Sequence, residues 1–300
     1  MAYRYHTADV FTSTAFGGNQ LAVLPDARGL TDEQMIAIAR EFNFSETVFV
    51  LPPANPAHTR RLRIFTPGAE LPFAGHPTVG TAFVLAATGE INLEGDETRI
   101  IFEEGVGPVP VLVRSANAKP VFTQLTAAKI PEMVNDRYDA TTLAEVLSLK
   151  VDDIEMHPHA IEAWSAGVPF LFVPITSRDA LARARVRMEI WERKLKGSVA
   201  PEIFVFVSEG ESVVRARMFA PTLGIPEDPA TGGAVAAFGG YLASQSDIRD
   251  GMLRCSIHQG IEMGRPSLLQ LEVDVAGEDV TAVRVGGASV LVSSGTLHVP

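Results

Sequence analysis

Two short stretches of the chain alternate charged and apolar residues in nearly the same order. Arg61-Leu-Arg-Ile-Phe-Thr-Pro67 returns as Arg215-Ala-Arg-Met-Phe-Ala-Pro221, an offset of 154 residues (61 to 215). Alternation of this kind predicts strands with one face in solvent. An apolar β-like run precedes each stretch, Thr47–Leu51 in the first case and Ile203–Val207 in the second. The pattern therefore predicts the same pair of strands twice.

A long segment without charged side chains follows each predicted strand pair. These segments are Leu71–Gly89 and Pro229–Ser246. Prolines and glycines occupy the front of each, which leaves an apolar part of about a dozen residues, too short to span a bilayer. We predict a helix buried on all sides in each segment. Strand–turn–strand patterns follow and match at Gly105 and Gly260, 155 residues apart (105 to 260).

A repeat of this length in a chain of 300 residues predicts two similar domains. The predicted fold class is α+β, with two pseudo-symmetric domains, each a barrel-like, mostly antiparallel sheet around a central buried helix. We assign residues 1–118 to the N-terminal half, completed by a C-terminal strand near 285–300, and residues 119–284 to the C-terminal half. A ligand site is expected in the cleft between the halves.

Two helices are predicted on the surface. Thr31 and Gln34 have the spacing of a capping box at the start of the first. Ser177 can cap the second, which we expect to run to about Lys196. The arginines and lysines of this second helix are typical of a solvated face.

Composition narrows the range of partners. The formal net charge is −11, which disfavours binding to nucleic acid and to anionic membranes. Cys255 is the one cysteine, so an intrachain disulfide cannot form, and this suits a reducing compartment. The N-terminal residues lack the apolar core of a signal peptide. We therefore expect a cytoplasmic protein.

The predicted buried helices begin at candidate anion sites. Pro77 suits the first turn of a helix, which places the helix start near Gly75 and His76. Free N–H groups at such a start favour an anion, and Gly232 and Gly233 offer the same feature in the second half. Two opposed helix starts would hold a carboxylate. Alternatively, the glycines serve only tight loops and close helix packing.

Glu46 is the leading candidate for acid–base chemistry. It opens an apolar strand and is flanked by Phe44 and Phe49, so its carboxyl group is expected to be desolvated, which favours proton exchange. A solvated glutamate at a strand end is the alternative. Asp228 is a second candidate, or a turn residue or helix cap, and His76 is either a functional or a purely structural loop histidine.

Sequence signatures of other chemistries are missing. The chain has no phosphate-binding loop, no dinucleotide fingerprint, no nucleophile elbow and no cluster at metal-ligand spacing. Cys255 lies in a β-like run and is interpreted as a core residue rather than a nucleophile. We therefore predict chemistry by carboxylate and imidazole, with no metal and no cofactor.

Five motifs, spread from about residue 8 to the end, resemble those of one known family. They are Phe16–Val23, Phe44–Thr47, Pro72–Thr78, Glu227–Gly232 and Gln259–Pro266. In this order they resemble the PhzF-type family of phenazine biosynthesis. Each motif alone is weak, but the set is specific and covers nearly the whole chain.

The resemblance implies a diaminopimelate epimerase-like fold and an isomerase that needs neither metal nor cofactor. The best-known member of the family isomerises trans-2,3-dihydro-3-hydroxyanthranilate, and members are commonly homodimers. Glu46 matches the glutamate that moves the proton, and His76 and Asp228 match its catalytic partners. The implied substrate-binding positions are Ser45, Gly75, Gly232 and Gly233. The expected partner is a small carboxylate substrate.

Two positions depart from the family pattern. Gly233 stands where the family often has a serine that contacts the substrate, and Gln20 stands where it has a proline. Epimerases of this fold use two opposed cysteines, which Cys255 alone does not supply. The alternatives that remain are a racemase, epimerase or lyase acting on another small acid, and a catalytically silent protein that binds a small acid.

Overall fold

The structure of the protein is a computed structural model that describes residues 1–136 and 138–300. The chain divides into two compact units, Met1–Ala128 with Val285–Pro300 and Lys129–Arg284. The predicted boundary after residue 118 differs from this division, because strand β8 (Lys119–Thr126) pairs with β7 (Gly107–Ala116) in the first unit. The predicted mixed fold, mostly sheet with few helices, is confirmed.

The first unit wraps short antiparallel and parallel strand pairs around one helix. Its elements are β1 (Ala2–Val10), β2 (Asn19–Leu24), α1 (Asp32–Phe42), β3 (Glu46–Leu51), β4 (Arg60–Phe65), β5 (Glu70–Leu71), α2 (Gly75–Ala87), β6 (Glu97–Glu104), β7, β8 and β18 (Ser289–His298). Strands β2 and β3 are parallel, as are β4 and β6. The other pairings, β1 with β2 and β18, β3 with β4, β4 with β5, β6 with β7 and β7 with β8, are antiparallel.

The second unit contains the remaining elements. They are β9 (Glu132–Val134), α3 (Ala140–Leu147), β10 (Glu162–Ser165), β11 (Pro169–Pro174), α4 (Arg178–Arg183), α5 (Met188–Lys194), β12 (Glu202–Ser208), β13 (Val213–Ala220), β14 (Ile225–Asp228), α6 (Gly232–Ser244), β15 (Asp250–Gln259), β16 (Ser267–Ala276) and the start of β17 (Asp279–Gly287).

The second unit repeats the strand pairing of the first. Strands β11 and β12 are parallel, as are β13 and β15, while β12–β13, β13–β14 and β15–β16 are antiparallel. Glu46 opens β3 beside Leu21, and Glu202 opens β12 beside Phe170. The motif repeat in the sequence therefore corresponds to a repeat in topology, in which Glu202 occupies the position of Glu46.

Helices α2 and α6 are buried along almost their whole length, as the charge-free segments predict. Glycines bring them close to the surrounding strands. A Cβ atom on Gly80 would lie 2.5 Å from a Val10 methyl carbon, and one on Gly240 would lie 2.6 Å from the Trp164 ring. Among the described residues, no helix has the length and apolarity needed to cross a membrane.

The two predicted surface helices differ in outcome. The capping box of Thr31 and Gln34 is confirmed at the start of α1. The single helix predicted after Ser177 is wrong, because the segment forms two helices, α4 and α5. The backbone N–H groups of Arg185 and Arg187 donate to carbonyl groups at the end of α3, and these bonds replace the helical ones between α4 and α5.

Candidate active site

The first unit brings a histidine and a glutamate together at the start of α2. His76 is the second residue of this helix and Glu46 the first residue of β3, and both are buried. Nε2 of His76 lies 3.4 Å from Oε2 of Glu46. Burial lowers the pKa of His76 to about 3, and the backbone carbonyl of Gln20 opposes this shift. The imidazole is therefore neutral at pH 7, with one N–H donor and one lone pair.

Asn19 contacts the other side of the imidazole ring. Its Nδ2 lies 3.3 Å from Nδ1 of His76. The preceding residue, Gly18, has a φ of +61°, and a Cβ atom there would lie 2.3 Å from the carbonyl oxygen of Val10. Only glycine therefore suits the turn that places Asn19. Sequence reasoning gave Asn19 no role, although an asparagine directly after two glycines is a usable signal.

The two central helices begin without a side-chain cap. The side chains of their N-cap residues, Ala74 and Thr231, accept no hydrogen bond from the N–H groups of the first turn. Three of the four other α-helices among the described residues are capped by the side chains of Thr31, Asp139 and Ser177, while α5 also lacks a side-chain cap. Because the first N–H groups of a helix lack partners within the helix, an uncapped start attracts an anion.

Asp228 is held firmly at the end of β14, just before α6. It is 6% exposed, and the Thr231 hydroxyl donates to its Oδ2 at 2.5 Å. Nε2 of Gln259 donates to the Asp228 carbonyl oxygen at 2.7 Å, and Oε1 of Gln259 accepts from the Thr231 N–H at 3.2 Å. Gln259 thus fixes the segment that carries Asp228. The sequence repeat is a signal for Gln259, because this residue directly precedes Gly260, which the repeat matches with Gly105.

Glu202 is a buried carboxyl group that sequence reasoning missed. It is 2% exposed, and burial raises its pKa to about 7, against the effect of the Thr222 backbone. Gly233 is the second residue of α6, as His76 is of α2. The second unit therefore offers a glycine where the first offers an imidazole. The signal for Glu202 was its place at the start of the repeated strand.

The predicted site residues fall into two sets. In the first unit, the half-buried Ser45 precedes Glu46, and Gly75 opens the helix that carries His76. In the second unit, Asp228 precedes the helix that Gly232 and Gly233 open. A common cleft for both sets stays a prediction.

Two further kinds of chemistry can be compared with the structure, reaction at Cys255 and binding of a metal ion. Cys255 is a buried residue of β15, as predicted, and burial raises the pKa of its thiol to about 12. In the part of the chain that the structure describes, the acidic, histidine and cysteine side chains form no group of three suited to a metal ion.

Comparison with known proteins identifies the family. The model of the phenazine biosynthesis-like protein family matches residues 8–295. The chain belongs to this family. The relatives of the chain within the family include named isomerases, and the chain is an enzyme of this isomerase family.

Three members of the family indicate the degree of similarity. An uncharacterized isomerase of Mesorhizobium japonicum is 41% identical over 302 residues, covering 98% of each chain. The trans-2,3-dihydro-3-hydroxyanthranilate isomerase of Pseudomonas aeruginosa is 35% identical, covering 99% of each chain. A crystal structure of a phenazine biosynthesis protein from Bacillus anthracis has a TM-score of 0.88 and 26% identity, with 100% of both chains covered.

The position of Gly233 has room for a serine. A Cβ atom there would lie 3.9 Å from two ring carbons of Phe170, which is an ordinary contact. Serine is also a better helical residue than glycine. We expect Gly233→Ser to fold normally and to keep or raise the thermal midpoint, with a gain of up to about 1 kcal/mol.

Gly240→Ser is the matched control in the same helix. Its Cβ atom would lie 2.6 Å from Pro131 and from Trp164, so we expect a lower thermal midpoint. Thermal unfolding measures both midpoints. Equal decreases in the two variants would contradict the inference that position 233 has room for a side chain and position 240 does not.

Proposed function

We propose that the protein is an isomerase that moves a proton on a small unsaturated carboxylic acid without a metal or cofactor. Glu46 as a carboxylate takes a proton from a carbon next to the unsaturated system, so a C–H bond breaks and an O–H bond forms. The resulting carboxylic acid returns the proton to another carbon of the same ligand. The ligand keeps its atoms and electrons. The distance of 3.4 Å between buried Glu46 and neutral His76 carries this proposal.

The neutral state of His76 suits this chemistry. An imidazolium beside Glu46 would stabilise the carboxylate and weaken it as a base. A neutral ring adds no positive charge and still has one donor and one acceptor nitrogen. Asn19 lies against Nδ1 on the other side of the ring and so supports its orientation. His76 would orient Glu46 or pass on a second proton.

The uncapped helix starts support an anionic ligand. The first turns of α2 and α6 begin at Gly75 and Gly232 and have no side-chain cap. Their N–H groups would bind the carboxylate of the substrate. Asp228 and Ser45 would contact its other polar groups.

The first substrate to test is trans-2,3-dihydro-3-hydroxyanthranilate. A relative named for the isomerisation of this compound is 35% identical over nearly the whole chain. Gly233 lacks the hydroxyl expected at that position, so a different small acid is the second candidate. The proposal includes a homodimer, which the resemblance implies.

The test uses the whole protein in deuterated water with trans-2,3-dihydro-3-hydroxyanthranilate, followed by proton NMR. We expect a shifted double bond and at least partial deuterium at the carbon that receives the proton. A racemase would exchange the proton without moving the double bond. An unchanged, fully protonated compound would contradict the proposal for this substrate, and the same result across a panel of small unsaturated acids would indicate a silent binding protein.

A further inference from the structure

Glu104 is a buried carboxyl group that the proposed chemistry does not use. It is the last residue of β6 and is 9% exposed. Its Oε1 lies 2.7 Å from the hydroxyl oxygen of Thr78, which is part of α2. The same hydroxyl oxygen lies 2.8 Å from the carbonyl oxygen of Ala74, the residue just before the helix. Two contacts thus join the end of β6 to the start of α2.

The Thr78 hydroxyl has one proton for these two oxygen atoms. When it donates to the Ala74 carbonyl, it accepts from Glu104, and Glu104 must then be a carboxylic acid. Burial raises the pKa of Glu104 to about 8, and the Thr78 hydroxyl acts in the opposite direction. The geometry therefore permits a protonated Glu104, and burial favours this form at neutral pH.

The second unit places an amide where the first has Glu104. Gln259 ends β15 as Glu104 ends β6. Its Nε2 donates to the Asp228 carbonyl, and its Oε1 accepts from the Thr231 N–H. A carboxylic acid and a primary amide each have a donor and an acceptor. Protonated Glu104 can therefore hold the start of α2 through one contact, Oε1 with Thr78, and its Oε2 is buried without a hydrogen-bond partner among the described residues. Gln259, in contrast, holds the start of α6 through both Nε2 and Oε1.

The residues that follow make the same contact in both units. A Cβ atom on Gly105 would lie 2.7 Å from the Cα of Pro72. One on Gly260 would lie 2.6 Å from the carbonyl oxygen and 3.0 Å from the Cα of Pro229. Both glycines let the strand end lie against the segment that leads into the central helix. Glu104 and Gln259 therefore occupy equivalent backbone positions, each just before a glycine at a strand end.

We propose that Glu104 is a positioning residue that works as a carboxylic acid and holds the first turn of α2 through Thr78. This turn carries His76, so Glu104 maintains the arrangement of His76 and Glu46. When Glu104 loses its proton, a buried charge forms and competes with the Ala74 carbonyl for the Thr78 proton. The inference rests on the proposed function only for its kinetic readout.

Few charged groups act on Glu104 from the elements around it. His76, on α2, is neutral. Arg60 and Arg61 of β4 lie beside Phe102 and Glu103, and Arg60 donates to backbone carbonyl groups. Glu103 accepts from two backbone N–H groups and from a histidine ring. Strand β7 places a glycine opposite Glu104.

The first test follows the His76 ring by NMR in protein labelled at histidine, with its signals identified by their loss in His76→Asn. In the parent we expect these signals to shift as the pH rises through about 8, where Glu104 loses its proton. Glu104→Gln should lack this shift and keep the signals of the low-pH parent. Glu104→Met cannot form a hydrogen bond with Thr78. In this variant the His76 signals should differ from those of the parent at every pH.

The second test measures turnover of trans-2,3-dihydro-3-hydroxyanthranilate against pH. We expect kcat of the parent to fall above about pH 8, whereas Glu104→Gln should stay within about threefold of the parent at pH 7 and lose this decline. Glu104→Met should lose at least about tenfold in kcat with a smaller change in KM.

The outcomes separate this inference from the proposed function. A shift near pH 8 that persists in Glu104→Gln belongs to another group and overturns the inference. The inference is also overturned if Glu104→Met folds and its His76 signals have the same positions as those of the parent. If the NMR results are as expected but the compound is not turned over, the inference stands and the proposed function fails for that substrate.

Discussion

Glu46→Gln is expected to lower turnover about 10²–10⁴-fold, the usual contribution of general acid–base catalysis. The amide has the shape of the carboxyl group but cannot take up the proton. Its equal size leaves no cavity at this buried position, so the thermal midpoint and the affinity for substrate should change little. Turnover, deuterium exchange, ligand affinity and thermal unfolding should be measured on the same sample.

Glu202→Gln is the matched control for this experiment. Glu202 opens β12 as Glu46 opens β3, and both are buried, but Gly233 stands at the position of the imidazole. We expect this variant to retain turnover within a few-fold of the parent. Exchange at the parental rate in Glu46→Gln would exclude Glu46 as the base and direct attention to His76 and Asp228.

Arg217→Met is expected to lower the free energy of unfolding by about 3–5 kcal/mol, the usual effect of breaking a buried ion pair. Arg217 is 2% exposed, and its guanidinium makes two hydrogen bonds to Glu227 at 2.7 and 2.8 Å. Its third nitrogen donates to three backbone carbonyls near the end of α4. The variant leaves the Glu227 carboxylate and these carbonyls without their partner. Urea unfolding of the parent and variant measures the loss.

Arg63→Met provides the control from the first unit. Arg63 lies 154 positions earlier (63 to 217) and makes a similar pair with Glu70, together with a contact to Asp32. Those two carboxylates are 43% and 75% exposed, so water can replace the arginine. We expect a loss of about 1 kcal/mol or less. Equal losses in the two variants would show that burial does not set the difference.

The sequence was most informative where one physical rule decided the outcome. A charge-free segment of helix length must be buried on every side, and α2 and α6 are. The helix predicted after Ser177 failed because its break depends on bonds from Arg185 and Arg187 to residues of α3. Such long-range backbone bonds leave no periodic signal. The predicted boundary after residue 118 differs from the division after Ala128, because β8 extends the β7 hairpin, which local pattern did not reveal.

The sequence allowed candidate site residues to be selected, but it did not predict which of them contact one another. Glu46 and His76 were selected by residue type and position, whereas their approach depends on how a strand and a helix pack. Glu103 and Glu104 show the limit most clearly. Backbone N–H groups of the Ala54–Asn55 turn lower the pKa of Glu103, while burial raises that of Glu104. Two adjacent glutamates therefore have opposite protonation behaviour, which follows from the folded surroundings alone.

The pairing of β1 with β18 has a consequence for the order of folding during synthesis. Ala2 lies opposite His298, so the first unit takes strands from both ends of the chain. The second unit is one continuous segment, Lys129–Arg284, and its last residue is synthesised before β18. Domains generally fold as units as they emerge. A chain that ends near residue 284 would therefore contain the whole second unit, while the edge of β1 that pairs with β18 would stay open.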